Sequence, residues 1–403
     1  MTDTDPTTTA AEECPAFPFR DWEGVDPAPA YARLRAERPV LQVRLPSGGR
    51  AWLVTRHADA RRVFADQRLS RAASCANKDD FQGINPPAGS LFALDPPEHT
   101  AVRALVNKTF TVRRVEDLKP WIAQRAERLA TRLARQGPPA DLVSGYAQPL
   151  SMSVLCRLLG VPEADHGRFI EWSHALLSTA DAGEEIEATR QRLGQYVARL
   201  IEARRAVPAD DLVSALVQAV DREDAAPHQA ILLVMAILVA GHDAMANQLA
   251  DTAYLMMTHP GMADRLRDEP ELIPAAVEEI VRYTSLIAVG GFPRVALEDV
   301  PIGDVVIKAG DTVIAAIDSA NRDEEVFPDP DELRVDRRPR GHLAFGHGTH
   351  RCLGAQLARA ELGITISALL DTLPGMRLAV PPADLEWDRA SFGRGLLSLP
   401  ITW

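Results

Sequence analysis

Apolar residues recur along this chain in two rhythms. Near the start, Val40, Leu41, Val43 and Leu45 run into Pro46-Ser47-Gly48-Gly49, and Trp52, Leu53 and Val54 follow. Two apolar runs around a Gly-rich turn predict a β-hairpin. From about residue 98 to 260 the spacing changes. Leu129 and Leu133 stand four apart, and Leu155, Leu158 and Leu159 repeat the interval, which is the helical period. Gly137-Pro138-Pro139, Gly160-Val161-Pro162 and Ala226-Pro227 break the stretch into separate helices. One helix is expected from about His228 to Thr258, ended by His259-Pro260-Gly261. At ~1.5 Å per residue it would be roughly 45 Å long, enough to cross the whole protein.

Between about 292 and 318 the texture becomes strand-like. Val305, Val306 and Ile307 precede Ala309-Gly310-Asp311, and Val313 and Ile314 follow it. A last helix is expected over Ala355–Leu373, with further short strands beyond it. Residues 71–94 read as a long irregular segment, a kind that is usually functional. The pattern predicts one mainly α domain with small β sheets over 17–403, preceded by a loose polar tail over 1–16.

Composition narrows the function classes. The 403 residues are 46% hydrophobic and carry a net charge of -12, so counterion release gives little drive toward nucleic acid. The N-terminus has neither the basic nor the apolar region of a secretory signal. The longest apolar run, Ala230–Gly241, is too short to span a bilayer. A cytoplasmic protein without a membrane role is expected. The four cysteines, Cys14, Cys75, Cys156 and Cys352, are scattered and show no CxxC spacing, which argues against a disulfide framework.

Cys352 stands out because of its surroundings, FGHGTHRCLG over 345–354. Gly346, Gly348 and Gly354 permit unusual backbone angles and close approach to a flat object. A cysteine just before a helix meets unpaired amides and the positive dipole end, and both favour a thiolate. An inert cysteine, or zinc held by Cys352 with His342, His347 and His350, would also fit the local chemistry.

The segment resembles the haem-binding loop of the cytochrome P-450 superfamily, with Phe345, Gly348, Cys352 and Gly354 at every position of the pattern. The resemblance implies that Cys352 is the axial ligand to the iron of haem b, with Phe345 and Gly346 beside it. Three further segments are similar to family motifs in family order. Glu279-Ile280-Val281-Arg282 resembles the ExxR helix, with Arg337 completing a structural network. DPPEHTAVR over 95–103 puts His99 and Arg103 on one helical face that suits a carboxylate, and it looks like the haem-propionate helix; Arg294 and His342 match two more propionate partners. Ala240-Gly241-His242-Asp243-Ala244-Met245 resembles the segment beside haem-bound dioxygen, with a groove at Ala240-Gly241 and Asp243 as a proton conduit.

The chain departs from the family at Ala244, where the usual residue is Thr. A methyl group neither donates nor accepts a hydrogen bond. Protons must then be guided by Asp243 through water or by a polar group of the substrate, and the second is favoured because a bound ligand can fill the missing side chain's space.

What the resemblance implies overall is the triangular haem-thiolate monooxygenase fold and a soluble actinobacterial-type enzyme. It would act as a monomer and draw electrons from a separate ferredoxin and ferredoxin reductase. The docking face would surround Arg351 and Arg359, bordered by Arg103, Arg113 and Arg114. Dioxygen is the co-substrate. The organic substrate would be sizeable, largely apolar and drawn from natural-product metabolism. It would be held by Leu286, Ile287, Ala288, Val289, Phe392 and the 71–94 loop. Hydroxylation is the leading reading, oxidative coupling or ring formation the alternative, and a non-catalytic haem- or metal-binding protein the rival of another class.

Overall fold

In the computed structural model, described for residues 14–76, 86–177, 183–284, 286–287, 291–389 and 391–403, the two rhythms separate into two kinds of layer. The N-terminal part holds α1 (Ala30–Glu37), β1 (Val40–Arg44), β2 (Arg50–Val54), α2 (His57–Ala65), β3 (Leu69–Ser70), α3 (Arg71–Ala76) and α4 (Glu98–Asn107). The helical bulk comprises α5 (Val112–Gln136), β4 (Ala140–Asp141), α6 (Gln148–Leu159), α7 (His166–Leu177), α8 (Gly183–Ala206), α9 (Leu212–Asp221) and α10 (Pro227–Thr258). After it come α11 (Met262–Asp268), α12 (Ile273–Tyr283), β5 (Arg294–Ala296), β6 (Val300–Ile302), β7 (Val305–Ile307), β8 (Thr312–Ala315), α13 (Ile317–Ala320), α14 (Ala355–Thr372), β9 (Arg377–Leu378) and β10 (Pro400–Thr402).

The hairpin forms as expected, with Val40 opposite Val54 and Arg44 opposite Arg50. It opens a five-stranded sheet in the order β1-β2-β8-β5-β3, in which β2 and β8 run parallel. Val305–Ile307 and Thr312–Ala315 do not pair with each other: β7 pairs with β6, whereas β8 joins the larger sheet. The last residues of the expected 1–16 tail are tied to the hairpin. The Arg44 amide donates to Pro15 O (2.9 Å), and Ala16 bridges to Arg44; residues 1–13 of the tail lie outside the described residues. The 71–94 segment is not wholly irregular, because it opens with α3 and ends near a short turn of helix at Leu91–Ala93; residues 77–85 lie outside the description.

Helix α5 shows why the bulk is stable. Thr111 caps it by accepting from the Arg114 amide (3.3 Å), and Gly137 ends it at a positive φ of +79°. Its buried face, Ile122, Ala126, Leu129, Ala130 and Leu133, packs on α14, and each large side chain buried there contributes about 1.5–3 kcal/mol. Helix α10 is long and apolar enough to cross a membrane by length and composition. Half of its most apolar stretch is buried, against α6, α7, α8 and α14, as in a core helix.

Candidate active site

The cysteine loop is placed by a chain of contacts that begins at α12. Glu279 and Arg282 are three apart, on one face, and wholly buried. Arg282 Nε and Nη2 donate to the two oxygens of Glu279, each at 2.8 Å. Arg337 Nε adds a third contact at 2.9 Å and the Arg334 amide a fourth at 3.1 Å. Arg282 also donates to Asn321 O (2.8 Å), and Asn321 Oδ1 accepts from the Leu343 amide (2.7 Å). Leu343 O then holds the Gly346 amide (2.8 Å), and Phe345 O holds the Cys352 amide (2.8 Å). A surface ion pair of this spacing contributes little; this one is interior and fixes the loop.

Within the loop, Gly348 needs to be glycine. Its φ is +68°, and a Cβ there would overlap the Phe64 carbonyl oxygen. Gly354 starts the next helix at φ −82° and needs no such freedom. Cys352 is exposed, although the protein around its sulfur pushes the thiol pKa up. The Gly354 amide, Arg103, Arg351 and Arg359 pull the thiol back down. Cys156 gives the contrast of an inert thiol, buried and pushed up to about 12. No group of three His, Cys, Asp or Glu placed to hold a metal ion occurs among the described residues, so the zinc reading loses its ligands.

Beside the cysteine lies a set of buried donors. His99 is 1% exposed, and both its ring nitrogens lack a partner among the described residues; so do Arg294 Nη1 and His350 Nε2. The His99 and His350 rings are 4.2 Å apart. Burial and the neighbouring His99, Arg294, Arg71 and Arg103 push His350 down to about 2. Burial and Arg71 lower Arg294 to about 9. The nearest acid, Asp95, is engaged by Ser70 Oγ and the amides of Arg71 and Ala72. Unpaired, mutually repelling buried donors fit an anionic group bearing carboxylates.

Two further residues expected to hold the haem carboxylates, His342 and Arg103, make contacts within the chain. His342 Nε2 pairs with Glu278 Oε2 (3.0 Å), which also binds Arg359 (2.9 Å), so its hydrogen-bonding capacity is used away from the cluster. His350, two residues before the cysteine, stands there instead. Arg103 shares a face with His99, but its Nη1 and Nη2 donate to Thr349 O (3.2 Å) and Arg351 O (2.7 Å). It braces the loop.

Helix α10 presents Ala240 and Ala244, one turn apart and exposed in the middle of a core helix. Gly241, expected in the groove with Ala240, lies against α6. A Cβ at Gly241 would sit 3.1 Å from Leu155, so this glycine serves the close packing of α10 on α6. His242 points into that packing, with Nδ1 3.3 Å from Ser151 Oγ. Asp243 is weakly held. Asn247 Nδ2 lies 3.3 Å from Oδ2 and His174 Nε2 3.7 Å from Oδ1. Burial, reinforced by Asp388, raises its pKa.

The residues expected to hold the substrate are described in part. Leu286 and Ile287 are half-buried, with Ile287 bridging to Gly393 and Leu286 O accepting from the Arg394 amide (2.8 Å). Ala288 and Val289 lie outside the described residues. Phe392 joins an aromatic row that sequence reading missed: its ring is 5.0 Å from Phe292, which stacks 5.9 Å from Phe92. On the outer side of the loop a cleft of about 580 Å³ is lined by Arg61, Arg338, Arg340, His347, Arg351 and Arg359, among others. Arg114 is tied to Asp210 (2.7 Å).

The family model for cytochrome P450 matches residues 170–374. The chain is 46% identical over 390 residues to the mycinamicin IV hydroxylase/epoxidase of Micromonospora griseorubida, covering 96% of this chain and 98% of the relative. The chain belongs to the cytochrome P450 family. It is also 45% identical to the nocardicin C N-oxygenase of Nocardia uniformis subsp. tsuyamanensis, over 96% and 98% of the two chains. Among solved structures, the mixed-function P450 MycG aligns with TM-score 0.89 and 46% identity, covering 97% of this chain and 100% of that one. A cytochrome P450 with biaryl coupling reactivity aligns with TM-score 0.89 and 37% identity over 95% and 98%. This cytochrome P450 is therefore a monooxygenase of the haem b- and dioxygen-using type, acting on an organic small molecule with electrons from redox partners.

Proposed function

We propose that this cytochrome P450 hydroxylates a sizeable, largely apolar natural product in the cytoplasm, as a monomer whose residues 17–403 work as one oxygenase domain. The observation that carries the site assignment is the convergence of the exposed Cys352 with the unpartnered donors of His99, Arg294 and His350. Cys352 would ligate the haem iron, and the three donors would bind the haem carboxylates. When bound, haem b supplies the iron on which dioxygen is activated, with electron density pushed toward it by the thiolate.

The chain's own residues do the rest. The Glu279–Arg282–Arg337 network keeps the loop at fixed height, with Phe345 and Gly346 at its base. Ala240 and Ala244 leave room on the opposite side. Asp243 holds a proton at its carboxyl and passes it inward. Leu286, Ile287, Phe92, Phe292 and Phe392 hold the substrate and exclude water, with Ala288 and Val289 expected in the same wall. Oxidative coupling is the second reading, supported by the coupling relative of the same fold.

Electrons would come from an acidic ferredoxin, itself reduced by a ferredoxin reductase, docking on the cleft lined by Arg61, Arg338, Arg340 and Arg351. Local basic patches steer association even on a protein of net charge -12. One experiment covers both assignments. The purified chain should be coloured, and its reduced carbon monoxide adduct should show the thiolate-type Soret shift. Its reduction by ferredoxin should slow as salt rises. Cys352→Ser should keep its helical circular dichroism and lose the Soret shift. A variant that retains the shift overturns the ligand assignment, and salt-independent reduction overturns the docking face.

A further inference from the structure

The acid of the long helix is enclosed by three separate pieces of chain. From α7, His174 brings Nε2 to 3.7 Å from Asp243 Oδ1; its side chain is 47% exposed, against 13% for Asp243. From α10 itself, Asn247 approaches the other oxygen. From the C-terminal loop, Gly393 and Gly395 close over the pair. A Cβ at Gly393 would stand 2.9 Å from Asp243 Oδ2, and one at Gly395 would overlap Asn247. The Phe392 amide, donating to Leu177 O (3.1 Å), ties this loop to the end of α7. Asp243 is thus shut off on its own helix and under the loop, and it meets a solvent-reaching titratable group through His174.

We propose that His174 is the solvent-side proton donor to Asp243, a positioning and relay residue for oxygen activation in this enzyme. The proposal rests on the reading of Asp243 as the acid that passes protons inward. The transfer balances simply. An imidazolium at His174 gives its Nε2 proton to Oδ1 of Asp243, leaving a neutral ring and a neutral carboxyl. The ring takes a proton from water, and the carboxyl returns to carboxylate when it gives its own inward. The 3.7 Å gap is longer than a hydrogen bond. A small rotation of the half-exposed ring, or one bridging water, closes it.

The surrounding groups favour this route over its neighbours. His242 stacks beside His174 at 6.1 Å, but it is buried, pushed down to about 3 by burial and His174, and bonded toward Ser151. It stays neutral at ordinary pH and offers no imidazolium proton. Asn247 cannot titrate. Asp388, facing Asp243 from the C-terminal loop, adds to the burial that raises the Asp243 pKa, while His174 and Asn247 lower it. An acid held up in this way keeps a proton closer to neutral pH than an exposed one.

The test uses the holoenzyme with ferredoxin, reductase and NADH. Dioxygen consumed and hydrogen peroxide released are followed from pH 6 to 9, with no organic substrate added. Parent, His174→Ala, His174→Gln and Asp243→Asn are compared. Both His174 variants should consume dioxygen at least about tenfold more slowly near pH 7, with a flattened pH profile, and added imidazole should restore part of the rate in His174→Ala. Parent-like His174 variants beside a slow Asp243→Asn overturn the His174 assignment alone. A parent-like Asp243→Asn overturns the Asp243 reading and this one with it. Slow His174 variants with an unchanged pH profile and no imidazole rescue make His174 a packing contact, which also overturns the proposal.

Discussion

Two helices carry buried acids, and they treat them in opposite ways. On α12, Glu279 meets Arg282, Arg337 and the Arg334 amide at 2.8–3.1 Å. Among the described residues, Asp243 on α10 has only the 3.3 Å and 3.7 Å approaches, and Asp251 Oδ1 has no hydrogen-bond partner. A carboxylate whose oxygens are held by cations stays ionised and acts as a rivet. A carboxylate left short of partners sits nearer the balance between its two protonation states, which a proton carrier needs. The α12 acid serves the position of Cys352. The α10 acids lie on the helix that carries the exposed Ala240 and Ala244.

The strongest way to break this contrast is Glu279→Gln. The amide cannot neutralise two guanidinium groups, and removing one partner from a buried ion pair costs about 3–5 kcal/mol. The denaturation midpoint of the holoprotein should fall, and the carbon monoxide adduct should lose thiolate-type absorbance as the loop loosens. A variant with parent stability and spectrum would mean that the network is not what fixes the loop.

A smaller effect of opposite sign is expected at Asp251. It is buried and pushed up to about 7 by burial, against the pull of Arg394. The folded state then binds a proton that the unfolded chain has already released. Stability contributed by this site is present at low pH and is lost as pH rises from about 4 to about 7. Asp251→Asn removes that loss, so the variant should gain about 2–4 kcal/mol over the parent at pH 8. The gap should widen between pH 5 and 7 and flatten above. A gap that is constant over that range would show that Asp251 is not protonated in the fold.

The same contrast explains what could be read in the sequence. Glu279, Arg282 and Cys352 were legible because their chemistry is local: a three-residue helical spacing and a glycine-framed loop. The long helix and the hairpin followed from apolar period alone. Facing was harder. Which of Ala240, Gly241 and Ala244 is left exposed depends on which side of α10 meets Leu155, and that is a tertiary fact. His350 and His342 are both histidines near the cysteine. Only the fold shows that Glu278 occupies His342 while His350 is left beside His99. Phe92 and Phe292 are distant in sequence from Phe392, and only packing brings them together. His174 had no signal of its own in the sequence, since its relation to Asp243 arises from α7 crossing α10.

The smallest expected effect concerns the residue after the relay acid. Proton supply and the hydroxyl that guides the proton are separate tasks, and Ala244 can perform neither. If His174 and Asp243 supply the proton, a polar group on the bound substrate can still take the place of the missing hydroxyl, because Ala244 is exposed on the side that Ala240 also opens. Spectral binding of candidate natural products would give a ligand, and analogues lacking single polar groups would follow. In the parent enzyme, an analogue without the critical group should bind yet send more electrons to hydrogen peroxide. Ala244→Thr should raise product per NADH for that analogue by about two- to threefold, less than 1 kcal/mol on the barrier scale, and leave the native ligand little changed. Equal coupling for ligand and analogues in the parent would remove the substrate from the relay. The contrast between the two helices would then sharpen, with every proton on the α10 side passing through Asp243 and ordered water.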